Sequence, residues 1–196
     1  MNPTATLADA ELHQRLQHGD EAAFAQLYRR YKDAVYRFAL MLCGASGVAA
    51  DATQEAFLLL IHAPASYDPA KGALPAFLMG VARNHVRRGL VHAPLPDLEP
   101  DAAGEDEDGD AEHTGSPLAG LLSAETLASL RTAIAALPFA YREVVVLCDL
   151  QELPYQDAAA VIGCPLGTVR SRLNRARAAL AGHLLSAQSA GLETTS

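Results

Sequence analysis

The sequence predicts an all-α protein, built as two small helical domains joined by an acidic flexible linker. Three observations carry that prediction. Apolar residues recur at helical spacing through both halves, and period-2 alternation is absent. The 196 residues are 50% apolar but only 6% aromatic, and the abundant alanine favours thin helical bundles. Between the halves lies a stretch rich in Pro, Gly, Asp and Glu that cannot offset its own ordering entropy.

The charge is as unevenly spread as the hydrophobicity. Residues 1–90 hold nine Lys/Arg against eight Asp/Glu, and residues 126–196 hold six Arg against five acids. Residues 91–125 hold ten acids and no Lys or Arg, so the net charge of −8 belongs to one segment. Either flank can therefore present a basic face. The chain is expected to divide into a domain over 1–92, a disordered linker over 93–118, a second domain over 119–186 and a flexible tail over 187–196.

In the first domain a helix is expected over Asp9–Gln17, ending at Gly19. A second starts after Asp20, a suitable N-cap, and runs to about Cys43 on the stripe Phe24, Leu27, Tyr28, Tyr31, Val35, Phe38, Leu42. A third, about Val48–His62, is expected to bury Val48, Ala52, Ala56, Leu59 and Leu60. It leaves Asp51, Gln54, Glu55 and Leu58 on one outward strip. After the turn-rich stretch 63–72, a fourth runs from about Leu74 to Leu90 and ends in a basic turn.

In the second domain Leu127, Leu130, Ile134 and Leu137 mark a helix stopped by Pro138, and a further helix covers Phe139–Leu150. Residues 153–180, LPYQDAAAVIGCPLGTVRSRLNRARAAL, then read as two helices around a Gly-Cys-Pro turn. Val169, Leu173, Ala176 and Leu180 fall on one face of the second of these and pack on Ala158, Val161 and Ile162. The other face shows Thr168, Arg170, Ser171, Arg172, Asn174, Arg175 and Arg177. These are the donors and charges that a major groove requires, in the form of a helix-turn-helix. Arg170, Ser171, Asn174 and Arg175 are the candidates for base edges, Arg172 and Arg177 those for phosphates.

These residues carry a family resemblance. Residues 152–180 resemble region 4 of bacterial sigma factors of the extracytoplasmic-function type, and residues 136–151 resemble the helices before it. Residues 19–44 resemble region 2.1, DATQEAFLLL (51–60) the core-binding helix of region 2.2, and residues 67–90 regions 2.3 and 2.4. The resemblance implies that Asp51, Gln54, Glu55, Phe57 and Leu58 dock on the clamp helices of the RNA polymerase largest subunit. The family often has a basic residue where this chain has Leu58 or Leu59, so either a more apolar contact or a partly covered strip is expected. It further implies that Tyr67 and Asn84 hold flipped −10 bases, and that the cations Lys71, Arg83, Arg87 and Arg88 hold the single strand. Phe77, where many members have tryptophan, is expected in the core. The basic turn is shorter than in many members, which implies a weaker phosphate grip.

The chain is thus expected to be a dissociable, non-enzymatic subunit that reads the −35 element with one domain and opens −10 DNA with the other. Its partners would be core RNA polymerase, including the flap region, promoter DNA and an anti-sigma factor; the linker would thread towards the RNA exit path. The alternative from the residues alone is a stand-alone helix-turn-helix regulator with an N-terminal dimerisation or sensing module. The seven histidines and three cysteines are scattered, with no spacing suited to catalysis, a metal or a disulfide framework, so no cofactor is expected. No secretion signal or membrane-spanning run is legible, which predicts a cytoplasmic protein without membrane insertion.

Overall fold

The structure is a computed structural model and describes residues 8–90 and 124–193, with side chains over 8–89 and 128–184. The expected linker over 93–118 lies outside the described residues. The chain divides into two compact units, Met1–Ala93 and Pro94–Ser196. Among the described residues every regular element is helical.

The first unit comprises α1 (Asp9–Gln17), α2 (Glu21–Cys43), α3 (Ser46–His62), a 3₁₀ turn (Pro64–Ser66) and α4 (Leu74–Leu90). Acids in the first turn of α1 and Arg15 in its last complement the helix dipole. Asp20 caps α2, accepting from the amides of Ala22 at 2.9 Å and Ala23 at 3.2 Å. Its carboxylate also takes Arg15 Nε at 2.8 Å, which ties α1 to the head of α2. A second tie comes from Asp9, whose carboxylate is shared by Arg30 and the Tyr31 hydroxyl. Leu12, Leu27, Phe38, Leu42, Leu60, Leu74 and Leu78 are wholly buried where α1, α2, α3 and α4 meet. Each such side chain contributes about 1.5–3 kcal/mol of transfer free energy.

One expectation fails on α3. Val48 is 38% exposed, and Leu59 is only half-buried. The buried residues are Ala49, Ala52, Thr53, Ala56, Phe57 and Leu60, so the inward face is rotated from the one expected. Three alanines on that face let α3 approach its neighbours closely, and Val48 and Leu59 fall at its borders.

The second unit comprises α5 (Ala124–Ala136), α6 (Phe139–Val145), a π-helical stretch (Val146–Leu150), α7 (Tyr155–Ile162) and α8 (Leu166–Glu193). Pro138 leaves α5 without continuation, and Arg142 Nη2 reaches back to the carbonyls of Ala135 and Leu137. The segment expected as one helix over Phe139–Leu150 is therefore helical throughout but widens to π geometry in its second half. Val144, Val145, Val146, Leu147 and Cys148 are all buried there. A widened turn brings five consecutive apolar side chains inward, which a regular α-helix with one buried stripe does not. The domain was expected to end at residue 186, yet α8 continues to Glu193, as its Ala- and Leu-rich sequence permits.

Candidate nucleic-acid interface

The turn between α7 and α8 depends on Gly163, which closes α7 in the left-handed region at φ +76°. Its amide and that of Cys164 both return to the Ala159 carbonyl, at 2.8 and 3.2 Å. Pro165 then opens α8, accepting from the amides of Thr168 and Val169. Val169, Leu173, Ala176 and Leu180 are buried, as are Ala158 and Ile162 of α7, and α8 packs on α5, α6 and α7. Arg170, Asn174 and Arg175 are exposed on the other side, with Thr168 and Ser171 half-buried beside them.

Arg172 and Arg177 are placed differently from that expectation. At 3.6 residues per turn each lies roughly 70° from the centre of the buried stripe, on opposite borders. Arg172 Nη1 stands 3.8 Å from Glu143 Oε1, and Glu143 is only 2% exposed. Arg177 makes a two-pronged pair with Asp149, Nε to Oδ2 at 3.1 Å and Nη2 to Oδ1 at 2.6 Å. That hydrogen-bonded carboxylate, aided by Tyr155, holds the Arg177 guanidinium above the usual arginine range. The sequence reading put both arginines on the groove face; in the folded unit their guanidinium groups are engaged by acids of α6 and the π-helical stretch.

Around α4 the six residues expected at single-stranded DNA separate into two sets. Lys71, Asn84, Arg87 and Arg88 are exposed. Tyr67 is 6% exposed, its hydroxyl donates to the Gly72 carbonyl at 3.1 Å, and its ring packs on His13 and Phe77. Burial raises the Tyr67 phenol. His13 itself is buried, with Nε2 2.7 Å from the Pro64 carbonyl. Arg83 is 5% exposed, with Nη1 3.3 Å from Asn84 Oδ1. Neither Tyr67 nor Arg83 offers a surface to a base, Tyr67 because it is packed on His13 and Phe77 and Arg83 because it is buried on α4.

On α3 the strip Asp51, Gln54, Glu55, Leu58 is exposed and continues to Ile61. Phe57 does not share it: it is 3% exposed and meets Tyr28 edge-on at 4.8 Å between ring centroids. The register of α3 turns Phe57 inward while Leu58 turns out. A shallow groove lined by Val48, Asp51, Glu55, His85, Arg88 and Gly89 joins the head of this strip to the basic end of α4.

Sequence reasoning missed Glu143, Asp149 and Tyr155 as the groups that hold the helix-turn-helix cations. The available signal was the pair of acids, Glu143 and Asp149, that bracket the apolar run 144–148. It missed His13 under the loop, for which a lone histidine on an apolar helix face gives little warning. Of the cysteines, Cys148 is buried and its thiol is pushed up to about 12, while Cys43 and Cys164 are half-buried. Among the described residues no cluster suited to a metal ion occurs and no helix is long and apolar enough to cross a membrane.

Comparison with known proteins bears on both units. A family model described as sigma-70 region 2 matches residues 27–92, and one described as sigma-70, region 4 matches residues 127–180. The chain is 34% identical over 175 residues to the ECF RNA polymerase sigma factor SigE of Mycolicibacterium smegmatis, covering 85% of this chain and 64% of that relative's length. It is 34% identical over 179 residues to the ECF RNA polymerase sigma-E factor of Escherichia coli K12, covering 89% of this chain and 93% of that protein. Among solved structures, CnrH in complex with the cytosolic domain of CnrY matches with a TM-score of 0.65 at 25% identity, over 91% of this chain and 97% of that one. A sigma factor RpoE of Bartonella quintana, solved with the anti-sigma factor NepR, shares the fold with a TM-score of 0.59 at 23% identity, over 82% and 96%.

Proposed function

The chain belongs to the extracytoplasmic-function sigma factors of the sigma-70 family, and on that premise we propose how its two halves divide the work of initiation. It is a sigma factor: it binds core RNA polymerase and directs transcription from chosen promoters. Members of this family are initiation factors, and the reading assigns the chain no catalysis of its own. The second unit reads the −35 element as duplex, with Arg170, Ser171, Asn174 and Arg175 at base edges and Thr168 beside them. In the first unit Asp51, Gln54, Glu55 and Leu58 dock on the clamp helices of the polymerase. Lys71, Asn84, Arg87 and Arg88 hold melted −10 DNA. Tyr67 joins them only if its ring leaves its packing on His13 and Phe77.

The observation that carries the reading is the exposed face of α8, where Arg170, Asn174 and Arg175 stand clear of the buried stripe. A regulator acting alone would share that face, so the first unit discriminates. Footprinting and run-off transcription on a promoter library test it: protection and transcripts are expected only with core polymerase. Protection of a −35 site by the free protein at equal affinity would favour the stand-alone regulator. Gln54→Ala with Glu55→Ala should weaken core binding and leave the thermal unfolding of the first unit in place. A protein partner of the anti-sigma kind belongs to the same reading, since CnrH is solved with the cytosolic domain of CnrY and the Bartonella quintana RpoE with the anti-sigma factor NepR, and a cytoplasmic location follows from work on polymerase.

A further inference from the structure

Seven side chains in the first three turns of α8, Thr168 to Arg177, are candidates to contact DNA as cations or hydrogen-bond donors, and the folded unit sorts them by position. Arg177 sits two residues beyond Arg175, the last of the base-edge candidates, at the border of the buried stripe, and both Nε and Nη2 are turned to Asp149. Asp149 lies in the π-helical stretch that follows α6, and Tyr155 at the start of α7 lies against the same guanidinium. One side chain of the recognition helix therefore engages both elements that support it. On the opposite border Arg172 Nη1 stands 3.8 Å from the buried Glu143, a looser ion pair.

The Arg177 side chain is still 47% exposed, but a phosphate that took its Nε–Nη2 edge would have to break the two-pronged pair and leave the Asp149 carboxylate facing the DNA backbone. Like charge at such short range is unfavourable, and the pair already satisfies the guanidinium edge that a phosphate would use. Held at both borders by acids, α8 cannot roll about its axis without breaking a charged pair. Such a roll would swing Arg170, Asn174 and Arg175 together away from the groove.

We propose that Asp149 is a positioning residue for −35 recognition, and that Arg177 serves as its tether rather than as a DNA contact. The pair sets the rotation of α8 and thereby which base positions its exposed face reaches. This rests on the −35 reading of α8 proposed above. The acid contributes to specificity without touching DNA.

The test uses the full chain with core polymerase on a promoter panel varied at the −35 element. Arg177→Asp and Asp149→Arg should each lower −35-dependent transcription roughly tenfold, as expected for loss of a close charge pair. The exchange D149R/R177D should recover most of that loss, with the wild-type base preference and salt dependence. If the exchange stays as inactive as Arg177→Asp, the positive charge is needed at position 177 itself and the proposal is overturned. Should the reversals not fold, Arg177→Gln and Asp149→Asn replace them. The two should shift −35 base preference alike, the double variant should add nothing further, and the salt slope should stay unchanged. A slope shallower by about 1 in Arg177→Gln with Asp149→Asn unaffected would show a phosphate contact and refute the tether. Arg170→Ala is the separate control. If it transcribes the whole panel like wild type, the −35 reading itself fails, whatever the exchange does.

Discussion

Removing the charge of Arg172 should destabilise the second unit before it affects any DNA contact. Glu143 is 2% exposed on its side chain and Arg172 25%, at 3.8 Å. Coulomb attraction at that distance is about 4 kcal/mol at an effective dielectric constant near 20 and about 1 kcal/mol in water. Breaking a fully buried pair costs about 3–5 kcal/mol, and a quarter-exposed arginine brings water-screened attraction instead. Arg172→Met, which keeps the aliphatic bulk, is therefore expected to cost about 2 kcal/mol. For a unit of this size that lowers Tm by about 8–16 °C. Thermal unfolding of the full chain, with amide exchange read in α6 and α8, measures it. Adding Glu143→Leu should return most of the stability, because two apolar side chains leave no buried carboxylate unpaired. A Tm for Arg172→Met within about 2 °C of wild type would refute the reasoning, and so would a double variant no more stable than the single one.

Three other outcomes follow from the same geometry. Gly163→Ala has open space around it and suffers only from its left-handed backbone, so it should cost about 1–2 kcal/mol in denaturant unfolding, with Gly163→Asn costing less. Cys148, with its thiol pushed up to about 12 by burial, should resist a thiol reagent at pH 8 in the native protein, while half-buried Cys43 and Cys164 react; equal rates for all three would contradict the packing of the π-helical stretch. Asp20 is lowered from 3.8, first by the Arg15 hydrogen bond and then by the helix amides. Its folded-state pKa lies below the unfolded value, so its contribution is present above about pH 4 and lost as pH falls through the folded value. Asp20→Asn should flatten the acid limb of the first unit's stability curve, and an unchanged limb would remove Asp20 from that role.

Element existence was legible because each helix carries its own local instructions. Asp20 before a 23-residue amphipathic stripe, Pro138 after α5 and Gly163-Cys164-Pro165 between α7 and α8 all act within a few residues of themselves. The buried stripe of α8 was legible for the same reason, since Val169, Leu173, Ala176 and Leu180 need only helical periodicity to declare a face. Faces rich in alanine were harder. On α3 the apolar residues run almost all round the helix, and periodicity alone did not separate inward Phe57 from outward Leu58.

The sequence by itself thus determined the helical class, most helix boundaries and the acidic break between two near-neutral halves. It also determined the cationic helix that follows a tight turn. Only the tertiary structure decided which of those cations meet acids of other helices. Arg172 and Arg177 meet acids 29 and 28 residues earlier in the chain, and Tyr67 meets a histidine brought by α1. Local periodicity fixes a side chain's direction on its own helix. Whether that direction ends in water, in the core or against an opposite charge depends on what another helix places there, and no short-range pattern contains that.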